Sequence, residues 1–309
     1  MKVQRDRAEF GALIALFAGA LSTGGAGILV RLSETGPTAT AFWRGCLALP
    51  LLAAWALLES PKKLFASFRD PGFLLAGAFF AGDLALWHWS LLLTSIAAST
   101  LEASLAPLVV ILFAWLRWSE RPSAAFLGAT ALVLIGMLLI VSPKFGHGGS
   151  AFLGDVLGLG TAGFFAAYIL AVARLRARYG TGTVMFNSTV VFTVLLLPLA
   201  LTQKFTPDTW SGWATVAGCA VAAQVMGQGL IAYALAHLRP TFSSLGLLVQ
   251  TLGAATSAWL VLGERLAGIQ IVGGLVIVGG IALARSARKV GAMPEPAAAA
   301  TNSLGVVRD

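Results

Sequence analysis

Seven stretches of this chain run 18 residues or more without an Asp, Glu, Lys or Arg: Phe10–Val30, Pro122–Pro143, Val156–Ala173, Tyr179–Gln203, Thr209–Ala236, Pro240–Gly263 and Leu266–Ala284. Three others of similar length carry one such charge each: Thr38–Leu58 with Arg44, Pro71–Leu93 with Asp83, and Ile96–Trp115 with Glu102. A hydrocarbon core about 30 Å thick takes roughly 20 residues of helix to cross. The ten windows therefore predict an all-α integral membrane protein with ten transmembrane helices. A β-barrel is excluded, because its strands alternate apolar and polar residues and these runs are continuously apolar.

Composition points the same way. Charged residues make up 11% of the 309, hydrophobic ones 58%, where a soluble domain carries about 25% charge. That excludes a soluble enzyme and a disordered chain. The net charge of +8 implies no nucleic-acid partner, since the bases sit between apolar runs rather than on one wet face. Cys46 and Cys219 lie inside apolar windows and read as packing.

The first window follows Lys2, Arg5 and Arg7 and contains Ala18-Gly19-Ala20, as a signal peptide would, but its run continues to Val30 and suits a true span. With a cytoplasmic N-terminus, sixteen Lys and Arg fall inside and four (Arg31, Lys144, Lys204, Arg265) outside. This asymmetry predicts a multi-pass membrane protein with both termini cytoplasmic. Residues 287–309, with Pro294, Pro296 and the run Ala297 to Ala300, read as a disordered cytoplasmic tail.

An offset of 144 residues aligns the chain with itself. Ala114-Trp115-Leu116 meets Ala258-Trp259-Leu260, Glu120-Arg121 meets Glu264-Arg265, Gly136 meets Gly280, Phe42 meets Phe186 and Trp89 meets Tyr233. Residues 1–145 and 146–286 are thus read as two five-helix repeats. Five is odd, so the second repeat enters the membrane inverted, the arrangement alternating-access transporters use.

The residues resemble a known family. Ser119-Glu120-Arg121-Pro122 and Leu262-Gly263-Glu264-Arg265-Leu266 follow the Ala-Trp-Leu helix ends, Gly154-Asp155-Val156-Leu157 opens the second half, and Thr94-Ser95-Ile96-Ala97-Ala98-Ser99 links spans three and four. Their order and spacing are similar to EamA-type members of the drug/metabolite transporter superfamily. Within it they look most like YddG-type exporters of aromatic and other neutral amino acids. In one departure, Thr251 stands in span nine where the family often has proline, opposite Pro107 of span four.

Charges within a span default to function. Arg44, His88 and Glu102 come out at one depth, which predicts that Glu102 pairs with Arg44 or His88 as a gate or as a structural latch. Asp83 lies near mid-membrane with Trp87 on the same helix face, placed to act as proton carrier, ammonium ligand or bond to a neighbouring helix. Ser22 lies in a run of small residues, Gly19 to Gly27, that admits a close neighbour. Tyr168 is the repeat partner of Gly24, so these two are expected to face one another. Gln224, Gln228, Tyr233 and Gln250 are buried polar groups of the second half, and Trp43, Trp87, Trp89 and Phe164 could supply apolar walls. The cavity candidates are thus Ser22, Trp43, Asp83, Trp87, His88, Glu102, Tyr168, Gln228, Tyr233 and Gln250, within a central cavity lined by spans one, three, four, six, eight and nine. Spans five and ten, the least polar, should lie outermost on opposite flanks.

No His-Glu-x-x-His, Gly-x-Ser-x-Gly, P-loop or metal-spaced Cys/His cluster occurs, so no catalytic residue, metal or cofactor is expected. The reading is a secondary transporter or facilitator exporting small metabolites, most simply neutral or aromatic amino acids, by alternating access. A membrane enzyme using Asp83, His88 and Glu102, or a channel, are the alternatives. Partners are the small-molecule substrate and the lipid bilayer, with a homodimer left open.

Overall fold

The computed structural model describes residues 2–62, 64, 70–93, 103, 105–118, 122–142, 152–263 and 267–290. Every regular element among them is helical, as lipid requires of a chain that must satisfy its backbone groups internally. The helices are α1 (Lys2–Arg31), α2 (Pro37–Glu59), α3 (Pro71–Leu93), α4 (Ala106–Trp118), α5 (Ala124–Val141), α6 (Phe152–Arg176), α7 (Thr181–Ala200), α8 (Trp210–Ala234), α9 (Pro240–Gly246, continued by Gln250–Leu262) and α10 (Gly268–Val290). Among the described residues seven helices are long and apolar enough to cross a membrane, and Pro71–Trp87, Ala106–Arg117 and Ala124–Ile140 are shorter apolar helices. The Thr94–Ser99 link, the Ser119–Arg121 and Glu264–Leu266 motifs and residues 291–309 lie outside the described residues. The start of the expected tail does not: α10 continues through residues 287–290.

The offset of 144 reappears in the helix starts. Pro37 and Thr181, Ala106 and Gln250, Ala124 and Gly268 are each 144 residues apart. Packing follows the same symmetry: α2 lies along α7, α5 along α10, α3 along α6, and α1 along α8 and α9.

The α2–α7 pair is closed at each end by the other helix. At one end Glu59 accepts hydrogen bonds from the amides of Thr181 (2.8 Å), Gly182 (2.9 Å) and Thr183 (3.4 Å), the free first turn of α7. At the other end Gln203 accepts from the Thr38 amide at 3.0 Å and returns a bond to Thr38 Oγ1 at 3.2 Å. Pro37 has no N–H, so α2 offers fewer donors there and a neutral amide is enough. Both helices start after a glycine that the cap needs bare. A Cβ at Gly180 would stand 2.0 Å from the Glu59 carboxyl, and one at Gly36 would stand 2.4 Å from Gln203 Oε1.

Two further clamps tie turns to helix starts. Glu34, after α1, accepts from the amides of Asp208 (2.8 Å) and Thr209 (3.1 Å) and from the Thr209 hydroxyl, at the start of α8. In the other half Tyr179, after α6, donates to Asp70 (3.1 Å), which also caps α3 by accepting from Gly72 N at 2.8 Å. The carboxylate sits on the turn in one half and on the helix start in the other.

The expectation that spans five and ten lie on opposite flanks is corrected: α5 and α10 pack on one another. A Cβ at Gly273 would lie 2.5 Å from the Gly136 carbonyl, and one at Gly280 would lie 2.6 Å from Val133. These glycines let the two backbones meet, and Val133 and Ile277 are fully buried between them. The low polarity of the two helices therefore marks a mutual seam as well as an outer face, where Ile135, Leu138, Leu275 and Val278 are exposed.

Two helices lose regular α geometry near their middles. In α8, Ala220–Gln228 form a π-helix, and in α9 a 3₁₀ turn, Leu247–Val249, precedes Gln250. The irregularity in α9 needs no proline: Thr251 stands just beyond it, whereas Pro107 sits in the first turn of α4.

Candidate functional site

The buried charges converge where α2, α3, α7 and α8 meet. Arg44 from α2 and Asp83 from α3 are each 8% exposed. The Arg44 guanidinium donates through Nε (3.1 Å) and Nη2 (2.9 Å) to Gln224 Oε1, and Gln224 Nε2 donates to Thr189 Oγ1 of α7 at 2.9 Å. Gln224 lies inside the π-helical segment of α8, a distortion frequent at functional sites.

Aromatic rings form the other wall. The guanidinium carbon lies 5.4 Å from the centre of the Phe80 ring, within cation–π range. Phe80 stacks on Tyr168 of α6 at 4.4 Å and meets Phe192 of α7 edge-on at 5.2 Å. Asp83 follows Phe80 by three residues and so shares its helix face. Its charge interacts with that of Arg44, and it accepts no hydrogen bond from a described residue. The result is a buried cation held by a neutral amide, an acid nearby and an aromatic wall.

Several predicted residues fall elsewhere. Trp43 joins Phe42, Phe205 and Trp213 and donates to the Phe205 carbonyl at 2.7 Å, an aromatic cluster at the helix end. Tyr233 is 38% exposed and its ring lies 4.9 Å from His237. Trp89 and Phe164 are exposed at 42% and 38%. Ser22 donates to the Ala222 carbonyl at 2.8 Å and so joins α1 to the π-helix. Gln228 is buried, and its Oε1 has no hydrogen-bond partner among the described residues. Gln250 is half-buried, with its backbone against Gly24, where a Cβ would stand 1.9 Å from the Gln250 carbonyl oxygen. Gly24 is thus covered by α9, while Tyr168 stacks on Phe80. Trp87 is half-buried on α3. The His88 side chain and Glu102 lie outside the described residues, so the expected pairing of Glu102 falls outside them too.

The expected cavity lining of spans one, three, four, six, eight and nine left out α7 and, although Arg44 was a gate candidate, α2. Thr189 and Phe192 give no charge signal, and Gln224 stood out only as a buried amide without an assigned partner. Among the described residues no three His, Cys, Asp or Glu side chains gather as metal ligands.

A model of the EamA-like transporter family matches residues 10–142 and again residues 152–286. The chain belongs to the EamA-like transporter family. It is accordingly a multi-pass membrane protein of a transporter family, a branch of the drug/metabolite transporter superfamily, built from two copies of one helical repeat. Two relatives are the pseudopaline exporters CntI of Pseudomonas aeruginosa strains UCBPP-PA14 and PAO1. Each is 26% identical over 283 residues, covering 91% of this chain and 98% of the relative. A solved crystal structure superposes with a TM-score of 0.72 at 20% identity, over 94% of this chain and 99% of that one, and shows the shared fold. In this EamA chain the two matched copies contribute unequally to the Arg44 cluster: both charges come from the first, and Gln224 and Thr189 from the second.

Proposed function

We propose that this chain is an inner-membrane secondary transporter that exports small zwitterionic metabolites, neutral and aromatic amino acids first among them. In this reading all ten helices cross the bilayer, the two repeats are inverted about an axis in the membrane plane, and both termini are cytoplasmic. The Lys and Arg asymmetry supports that orientation.

One observation carries the substrate class: Arg44 and Asp83 are both buried and their charges interact, yet they form no ion pair with each other. A substrate carboxylate would displace Gln224 from the guanidinium fork, since a charged bidentate partner outcompetes a neutral amide. A substrate ammonium would take Asp83. Phe80, Tyr168 and Phe192 would then face an apolar or aromatic side chain. Such a ligand restores a neutral, bonded set, which a buried charge requires. The resemblance to YddG-type exporters and the two exporter relatives support export as the direction. Those relatives also make pseudopaline a competitor worth including.

The test is counterflow in proteoliposomes with a panel of unlabelled solutes. Saturable uptake inhibited best by large neutral amino acids is the expected result. Inhibition by sugars or nucleotides alone would overturn the substrate class. Flux that never saturates would mean a channel, and competition by pseudopaline alone would move the substrate towards that of the relatives.

A further inference from the structure

A cavity of about 680 Å³ lies on the flank of the protein, between α1, α9 and α10, and shares no residue with the Arg44 cluster. Its volume is within the ~300–1,000 Å³ of ordinary ligand pockets. Phe242 and Ile281 form a buried floor, while Leu21 (43% exposed) and Val278 (55% exposed) stand at an open side. Every wall residue but two is apolar, and those two, Arg285 and Ser286, sit together at one end.

Arg285 is the unusual member. Its Nε is buried without a hydrogen-bond partner, and its guanidinium makes no bond or ion pair with any described residue. A buried donor left unpaired is costly, the more so on a charged group. The Ser286 hydroxyl donates to the Leu283 carbonyl at 2.9 Å and forms no hydrogen bond with Arg285. Arg285 is half-buried, and an anion beside its Nε together with an apolar body along the groove would match what the walls offer.

The rest of the geometry selects the anion. Along α10 the wall runs from Ser286 back to Val278, about 12 Å at 1.5 Å per residue, close to half the thickness of a hydrocarbon core. Under the orientation proposed above, Arg285 stands at the cytoplasmic end of α10, where the leaflet carries acidic lipid and basic pockets between helices hold phosphate headgroups. We propose that this groove binds one anionic phospholipid, its phosphate on Arg285 and an acyl chain along Phe17, Leu21, Val249 and Val278. The site is independent of the substrate reading, because none of its residues belongs to the Arg44 cluster.

Native mass spectrometry of the full-length protein, delipidated and then offered phosphatidylglycerol or phosphatidylcholine of matched chains, tests it. The expected result is preferential retention of phosphatidylglycerol. Arg285→Gln should weaken that retention about fivefold, the effect of one cation at an anionic surface, and Arg285→Lys should keep most of it. Lys62→Gln makes the same charge change at an exposed residue beyond α2 and should leave retention unchanged. Val278→Trp fills the open side without touching the charge and should also reduce retention. If Arg285→Gln fails to fold, Val278→Trp decides, and unchanged retention there overturns the proposal. Equal retention of the two lipids, or equal losses in Arg285→Gln and Lys62→Gln, overturns it as well. Displacement of the lipid by free glycerol phosphate would assign the site to a soluble phosphate instead.

Discussion

Glu59 and Gln203 stand 144 residues apart and cap each other's repeat: Glu59 holds the first turn of α7, and Gln203 holds the first turn of α2. The two caps differ in charge because the two helix starts differ in donors. Three amides converge on Glu59, whereas Pro37 withholds one from Gln203.

That difference makes the two caps unequal to substitution. Glu59→Gln keeps one acceptor for three donors and should cost about 1 kcal/mol, the worth of a helix cap. Gln203→Ala should cost a similar or smaller amount. Gly180→Ala should cost more than Glu59→Gln, because its Cβ occupies the carboxylate's position. Thermal unfolding in detergent ranks the three, and an unaffected Gly180→Ala would contradict the cap geometry.

Arg44 and Asp83 should be energetically coupled. Arg44→Met leaves Asp83 buried without its cation and should destabilise by about 3–5 kcal/mol, the cost of stranding one charge. Adding Asp83→Asn should recover part of that loss. A double-mutant cycle on unfolding free energy measures the coupling, and strictly additive losses would show that the two charges do not compensate.

The α5–α10 seam gives a comparison between neighbouring glycines. A Cβ at Gly280 would meet Val133 at 2.6 Å, while one at Gly279 meets nothing within 4 Å. Gly280→Ala should therefore destabilise by about 1–3 kcal/mol through overpacking. Gly279→Ala should be neutral or stabilise by about 0.5–1 kcal/mol through helix propensity. Equal effects of the two would mean that the helices do not meet along this face.

Glu34 sets a pH dependence. Hydrogen bonds from the Thr209 hydroxyl and amide, and then from the Asp208 amide, hold its carboxyl below the usual carboxylate value. A carboxyl held low in the folded state adds stability above its unfolded pKa, and that stability is lost as pH falls through the folded value. The unfolding midpoint of the wild type should exceed that of Glu34→Gln at neutral pH and down to the carboxylate range. The gap should close in stronger acid; a gap that widens on acidification would reverse the assignment.

How much of this could be read in the residues depends on what sets each feature. The helices and the 144-residue offset were legible because lipid imposes a length and an apolar composition on each helix, and both are local. Arg44 and Asp83 stood out because a charge within an apolar window is rare. Their surroundings did not. Gln224 reaches Arg44 across 180 residues of chain, and helical periodicity says which face a side chain takes, not which helix covers it. Trp43 and Tyr233 were misplaced for a related reason: an aromatic ring suits an interfacial helix end as well as a cavity wall. The α5–α10 pairing was missed because a helix without polar residues serves equally against lipid and against another such helix, and only the aligned glycines separate the two.

The mutual caps also limit how the two halves can diverge. Pro37 to Glu59 and Thr181 to Gln203 are both 23 residues, and each segment is measured against its antiparallel neighbour. One residue inserted in α2 would turn Glu59 by about 100° and shift it by about 1.5 Å, away from the amides of α7. The halves are free to drift apart in side chains, as Glu59 and Gln203 themselves have, but any change of length in one helix must be matched in the other.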